Sequence, residues 1–171
     1  MMKLLRQSLI AAVAGISLAL GLTFPAASLT ADEAGKVSAL LAELSSELGD
    51  FAYDEEEADR IFDEDEAFNG RIKAAGFDRQ EWKEAVGAVF RGYLATIPND
   101  VFSARLSGAL QAIDSMSHLS AEDRTEVRTL FEEKIAEIQL LRVEGAAYAK
   151  AVTPYAAQIE AAFDTGLGPA E

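Results

Sequence analysis

Apolar residues recur at helical spacing from about residue 31 to residue 163, and no segment alternates steadily between apolar and polar positions. Successive stripes of this kind predict amphipathic helices. The predicted helices cover about 31–48, 54–75, 79–95, 100–116 and 121–152, with a last short stripe at 155–163. Short turns separate them, so we expect one all-α domain, a helical bundle of about five to six helices.

Several residues mark where these helices begin and end. Thr30 and Glu33 have the spacing of a capping box, and Gly49 is suited to end the first helix. Gly70 weakens the middle of the second helix, and a break at 63–66 is an alternative to one continuous helix. Ser120 is a predicted N-cap, and Thr153-Pro154 restarts or kinks the chain after the long fifth helix.

The best-defined local signal lies at residues 75–82. Gly76 is expected to end one helix, and Asp78 to cap the next, with Glu81 at the reciprocal third position of a capping box. Phe77 precedes the cap and Trp82 follows it, which is the arrangement of a hydrophobic staple. The inward face of this third helix is predicted to contain Trp82, Val86, Val89, Phe90 and Tyr93.

The motif Gly76-Phe77-x-x-x-Glu81-Trp82 resembles the helix start of small exported all-helical proteins of proteobacteria, most of which are of unknown function. The resemblance implies a periplasmic helical domain. It describes a helix start and no chemistry, so it implies no functional residues.

The first residues have the build of a signal peptide. Lys3 and Arg6 give a basic start, and residues 9–22 form an apolar run of about 14 residues. A membrane-spanning helix needs roughly 20 residues. Small residues follow, and they predict cleavage between 27 and 31. We therefore expect a signal peptide over 1–31, a helical domain over 32–165 and a flexible tail over 166–171.

The expected location is the periplasm of a Gram-negative cell, reached through a Sec-type signal peptide, with extracellular release as the alternative. The chain contains no cysteine, which excludes a lipid-anchored lipoprotein and any disulfide. No stretch after the signal peptide is predicted to span a membrane. The mature fold must then be held by its core alone.

The chain has a formal net charge of −14, and removal of Lys3 and Arg6 with the signal peptide would make it more acidic. Such a chain repels nucleic acid, whose phosphates are bound by clusters of basic residues. Its natural counter-partners are divalent cations, polyamines or basic proteins. The alternative is that the charge serves only to keep an exported protein soluble.

The residues that most enzymes and cofactor sites require are scarce. His118 is the single histidine and is expected in a loop, so neither a nucleophile with a histidine base nor a zinc site of several His or Cys ligands is predicted. We therefore expect neither an enzyme nor a bound cofactor.

Acidic residues are concentrated at 54–66, where a low-affinity site for a divalent cation or a polycation is conceivable. Asp63, Asp65 and Asn69, beside Gly70, are the candidate metal ligands. An EF-hand is excluded, because its spacing would put an alanine at one ligand position and a glycine at the position of the final Glu. The alternative is a solvated helix face.

Trp82, Tyr148 and Tyr155 are candidates for a ligand or partner surface, because aromatic residues with polar tips tolerate partial exposure. Trp82 also belongs to the aromatic set Phe77, Trp82, Phe90 and Tyr93, whose helical spacing is more typical of a core than of a ligand pocket.

Three functions fit these patterns. The first is a non-enzymatic, exported module that binds another protein or is associated with the envelope. The second is a cation or polycation binder acting through 54–66. The third is a small apolar ligand carrier with a pocket between the helices at 79–95 and 121–152. The oligomeric state does not follow from the sequence.

Overall fold

The computed structural model describes residues 29–49 and 55–163, and these residues form an all-α domain without β-strands. The predicted fold class, a single-domain helical bundle, is confirmed. The elements are α1 (Ala31–Leu48), α2 (Glu55–Phe68), α3 (Arg71–Ala74), α4 (Arg79–Thr96), α5 (Asn99–Asp114), α6 (Ala121–Gly145), α7 (Ala149–Val152), a 3₁₀ turn (Thr153–Tyr155) and α8 (Ala156–Ala162). Most of the predicted signal peptide, residues 1–28, and the predicted tail lie outside the described residues.

Helix α4 is the centre of the domain. It contacts α1, α2, α6, α7 and α8, and nine of its residues are buried. The five residues predicted to face inward on this helix are all among them. Burial of such large side chains is the main source of stability in a fold without disulfides, at about 1.5–3 kcal/mol for each large apolar side chain.

The start of α4 has the predicted geometry. The Glu81 amide donates to the Asp78 carboxylate (2.8 Å), and the Asp78 amide donates to the Glu81 carboxylate (2.9 Å). The rings of Phe77 and Trp82 meet edge to face, with centroids 6.1 Å apart. Gly76, at φ 97°, occupies a left-handed conformation that favours glycine. The capping box and the staple are thus confirmed.

Helix α1 also begins and ends as predicted. Thr30 and Glu33 form a reciprocal capping box, and Gly49 lies just after the helix at φ 90°. The Ser38 hydroxyl is buried on this helix and donates to the carbonyl of Ala34 (2.6 Å).

The prediction of one helix over 54–75 is wrong, and the alternative break at 63–66 is also wrong. Helix α2 continues through 63–66 to Phe68, and the chain turns at Gly70, which is left-handed at φ 64°. The turn is stabilised by Asp65, whose carbonyl accepts from the Gly70 amide (2.6 Å) and whose carboxylate accepts from the Ile72 amide (2.8 Å).

The long helix predicted over 121–152 is interrupted. Helix α6 ends at Gly145, a turn follows at 146–148, and α7 then packs on α4 with Val152 fully buried. The predicted restart at Thr153-Pro154 is confirmed, because Pro154 lies in the first positions of the 3₁₀ turn.

The interruption lies at a close crossing of α4 and α6. A Cβ atom on Gly145 would overlap the carbonyl oxygen of Arg91 and lie 3.0 Å from the amide nitrogen of Gly92. The two backbones therefore touch at this point. The turn that follows lays Tyr148 and Val152 against Gly92.

No helix among the described residues has the length and apolar character needed to cross a membrane.

We predict that Gly145→Ala destabilises the protein by about 1–3 kcal/mol, because the added methyl group must push two packed backbones apart. The control is Gly108→Ala in α5, where a Cβ would meet no atom within 4 Å. This control should stabilise by about 0.4–1 kcal/mol, since alanine loses less conformational freedom on folding. Urea denaturation of both variants measures the difference, and a neutral Gly145→Ala would contradict the close crossing.

Candidate functional site

Helices α5 and α6 form a two-helix arm, which we define as residues 99–137. Along these residues only Phe102 and Ile113 are buried. Helix α4 in the body of the domain is shorter than this arm and buries nine residues. The arm therefore contributes little to the core.

The reason lies in the packing partners of the arm. Helices α5 and α6 pack against each other, and two helices can bury only the faces that meet. The apolar side chains of the predicted stripes remain half-buried in the arm, including Leu106, Leu110, Val127, Phe131 and Ile135. Leu106 and Phe131 pack against the core cluster, and all five side chains remain partly exposed to solvent.

A second apolar feature lies on the solvent side of α6. Three of the large apolar side chains most exposed to solvent belong to this helix: Leu130 (60%), Leu140 (59%) and Val143 (74%). Ala136, Leu140 and Val143 follow each other at helical spacing and form what we call the outer stripe. Exposed glutamates, Glu133, Glu137 and Glu144, border it on one side.

A cleft of about 520 Å³ lies where the arm joins the body. Its apolar walls come from Ala95 of α4, Phe102 of α5 and Val143 of α6, with alanines at 146 and 149. Asn99, Ser103, Gln139 and Arg142 supply its polar groups. The hypothesis of a ligand carrier expected a pocket between the third and fifth predicted helices, and the cleft lies in this region. The cleft is open rather than enclosed.

Arg142 is the charged group of the cleft. Its Nη2 donates to the carbonyl of Ile97 (2.7 Å) and to Oδ1 of Asn99 (3.0 Å). The guanidinium stacks on Phe102, 4.0 Å from the ring centre. Nη1 is buried and has no hydrogen-bond partner among the described residues. Burial lowers the pKa of Arg142 from its ordinary value, because it removes water from the charge.

Arg105 anchors the arm differently. It lies on α5 and donates to Glu160 of α8 (2.6 Å), and its side chain is 8% exposed. Tyr93 of α4 lies beside this pair, and burial raises the pKa of its hydroxyl. Besides the apolar contacts of Phe102 with the core, the arm is thus tied to the rest of the domain by the pair of Arg105 with Glu160 and by the hydrogen bond that Asn99 accepts from Arg142.

The acidic segment predicted as a cation site is largely occupied by basic side chains of the protein itself. Asp63 pairs with Arg79, and Asp59 accepts from Lys83 (2.7 Å) and Arg79 (3.3 Å). Hydrogen bonding to Arg79 lowers the pKa of Asp63, and hydrogen bonding to Lys83, then to Arg79, lowers that of Asp59. These pairs connect α2 to α4.

The candidate ligand Asp65 does not lie on the wet face that the sequence indicated. Asp65 is 3% exposed, and its carboxylate accepts from the amide of Ile72 and from Nε of Arg71 (3.2 Å). Arg71 also pairs with Glu47 of α1 (2.8 Å). Asn69 is exposed at the end of α2. Among the described residues, no cluster of three or more His, Cys, Asp or Glu is placed to hold a metal ion.

The aromatic candidates lie mostly inside. Trp82 is fully buried, and its indole N–H donates to the carbonyl of Ala58 (3.1 Å), so it is a core residue and not part of a surface. Tyr148 is half-buried and packs against Gly92, and Tyr155 is half-buried with its hydroxyl against Gly35. His118 is exposed in the turn between α5 and α6, as expected.

Sequence reasoning missed both Arg142 and the exposure of the arm. One signal was present: Arg142 interrupts the apolar run Leu140-Leu141-x-Val143, and a charge inside such a run points to a special environment. The exposure of the arm has no comparable signal, because an amphipathic stripe does not reveal how much of it is covered.

We predict that Asp65→Ala destabilises the protein by about 1–3 kcal/mol, because it leaves the Ile72 amide without its acceptor. Asp65→Asn should lose less stability, since the oxygen of the asparagine amide can still accept the hydrogen bond from Ile72. Glu66→Ala is the matched control, because Glu66 is exposed and should change stability by no more than about 0.5 kcal/mol. Urea denaturation distinguishes these outcomes, and equal effects at 65 and 66 would contradict the buried role of Asp65.

We also predict that Arg79→Gln raises the pKa of Asp63 toward its ordinary value. The pKa of Asp59 should remain partly lowered, because Asp59 still bonds to Lys83. A lowered folded-state pKa contributes stability above the ordinary pKa of about 3.9, and this contribution is lost as the pH falls through the folded-state value. The variant should therefore lose less stability on acidification. Carboxyl carbon chemical shifts during an NMR pH titration measure the pKa. Arg128→Gln is the control, because Arg128 pairs with Asp114 instead.

No family model matches the chain, no curated protein matches it, and no solved structure matches it.

Proposed function

We propose that this protein is an exported, non-enzymatic module that binds another protein through the outer stripe of helix α6. The observation that carries the proposal is the exposure of α6: Leu130, Leu140 and Val143 are each more than half exposed, in a helix of 25 residues that buries only Ile138 and Gly145 fully. Apolar surface of this kind on one helix is typical of an interaction site.

The charge of the surface selects the kind of partner. Glu133, Glu137 and Glu144 border the outer stripe, and the whole chain has a net charge of −14. A helix with an apolar face and basic flanks complements this surface in both respects. A second copy of the chain is disfavoured, because it would bring acidic surfaces together. We infer a basic amphipathic helix as the occupant.

The basic start and the apolar run at 1–31 support export through a signal peptide to the periplasm. The acidic charge agrees with a soluble exported protein. A cation-binding role through 54–66 has less support, because Asp59, Asp63 and Asp65 are bonded to basic side chains or to backbone of the protein itself.

A small-ligand carrier is the second candidate function. The cleft of about 520 Å³ beside Arg142 supports it, since pockets for small molecules commonly have volumes of about 300–1,000 Å³ with apolar walls and a few polar groups.

Site-specific photo-crosslinking in exporting cells tests the proposed partner surface. Benzoylphenylalanine at positions 140 and 143 should give one discrete adduct, and the same group at the exposed α1 positions 39 and 46 should give none. Reversing two flanking charges, with Glu133→Lys and Glu137→Lys, should lower the yield at least about tenfold, because the partner contributes the basic groups.

Mass spectrometry of the adduct then identifies the partner segment. A basic amphipathic helix would support the proposal. Equal adducts from all four positions, no adduct at all, or an adduct with a second copy of this chain would each overturn it. Circular dichroism of the purified variants confirms that the helices are retained.

A further inference from the structure

Arg142 differs from Arg105, the other arginine at the base of the arm, in what compensates its charge. Arg105 pairs with the carboxylate of Glu160. Arg142 bonds to a backbone carbonyl and a side-chain amide, which are neutral, and no carboxylate of the described residues forms an ion pair with it. In a chain with 29 acidic residues, a partly buried guanidinium without an acidic partner is notable.

The environment of this charge favours a bound anion. Nη1 is buried and has no acceptor among the described residues, a condition it shares with Nε of Arg105, and the face of the guanidinium is covered by Phe102. Neutral acceptors offset the loss of water around a charge only in part, and an unpaired donor in such a site is costly. The lowered pKa of Arg142 has the same cause, namely desolvation without a compensating charge. A carboxylate would supply both the charge and the missing acceptor.

The residues that line the cleft indicate the other properties of the ligand, beyond its negative charge. Phe102, Val143 and Ala95 give it apolar walls, and Asn99, Ser103 and Gln139 supply further hydrogen-bonding groups. Its volume of about 520 Å³ suits a small molecule. A highly charged ligand would be repelled by the acidic chain, whereas a monoanion with an apolar body matches the walls and the single arginine.

We propose that the cleft at the base of the arm binds a small amphiphilic carboxylate. Its carboxylate pairs with the guanidinium of Arg142, which tilts on Phe102 so that Nη1 gains an acceptor, and its apolar body lies along Phe102 and Val143. This inference rests on the second candidate function, that of a small-ligand carrier, and names the class of ligand. It does not depend on the proposed protein partner, although Val143 belongs both to the cleft and to the outer stripe.

Titration with octanoate tests the proposal, using protein purified from cells that express the full chain. Calorimetry should show one octanoate bound per chain and a rise in melting temperature. Octanol has the same apolar body without the charge and should bind at least about tenfold more weakly. Acetate has the charge without the apolar body and should not bind measurably.

If octanol binds as tightly as octanoate, the carrier function survives and the carboxylate assignment fails. If neither binds, both fail.

Two variants assign the effect to the cleft. Arg142→Gln should weaken octanoate binding at least about tenfold and leave octanol binding unchanged, while Arg142→Lys should retain part of the preference for octanoate. Val143→Glu places a carboxylate at an exposed position of the rim and should also oppose octanoate, which keeps the proposal testable if Arg142→Gln does not fold. The control is Arg128→Gln on the same helix, whose arginine pairs with Asp114. Octanoate binding that is unaffected by both Arg142→Gln and Val143→Glu would overturn the proposal.

Discussion

The backbone contact between α4 and α6 at Gly145 is the constraint on which the rest of the arrangement depends. Without a side chain at Gly145, the helix approaches the carbonyl of Arg91 and the amide of Gly92 directly. Helix α6 ends there, and the chain turns so that α7 and α8 return to the body, where Val152 and Ile159 become fully buried. The central helix is thereby covered on the side that α1 and α2 leave open.

The exposure of the arm follows from how few of its side chains are covered by other helices. The backbones of α6 and α4 meet at Gly145, near the C-terminal end of α6, and only Ile138 and Gly145 of the 25 residues of α6 are buried. Helix α5 packs along α6 and reaches the rest of the domain through Phe102 and through the pair of Arg105 with Glu160. The cleft forms at the junction, where Phe102 and Arg142 face the end of α4. The outer stripe and the cleft both lie along this less buried helix.

The charges of the chain are arranged so that few acids near α2 are free. Arg71 joins Asp65 to Glu47, and Arg79 joins Asp59 to Asp63. The exposed pairs among these contribute little to stability, whereas Asp65 is buried and also accepts from the Ile72 amide. All of these pairs determine which carboxylates remain available to a ligand. Arg142 is the reverse case, because it forms no ion pair with an acid of the described residues, although the chain is strongly acidic. The net charge of the sequence gives no indication of this environment.

Much of the fold was open to prediction because its signals are local. The capping boxes at Thr30 and Asp78, the staple of Phe77 on Trp82 and the restart at Pro154 each depend on residues within a few positions of one another. The sequence alone therefore determined the all-α class, most helix ends and the inward face of α4. Tertiary structure decided the turn after Gly145, the burial of Asp65 and the exposure of the arm. Each of these depends on which helices meet across the fold, and hydrophobic periodicity shows which face of a helix is apolar without showing what covers it.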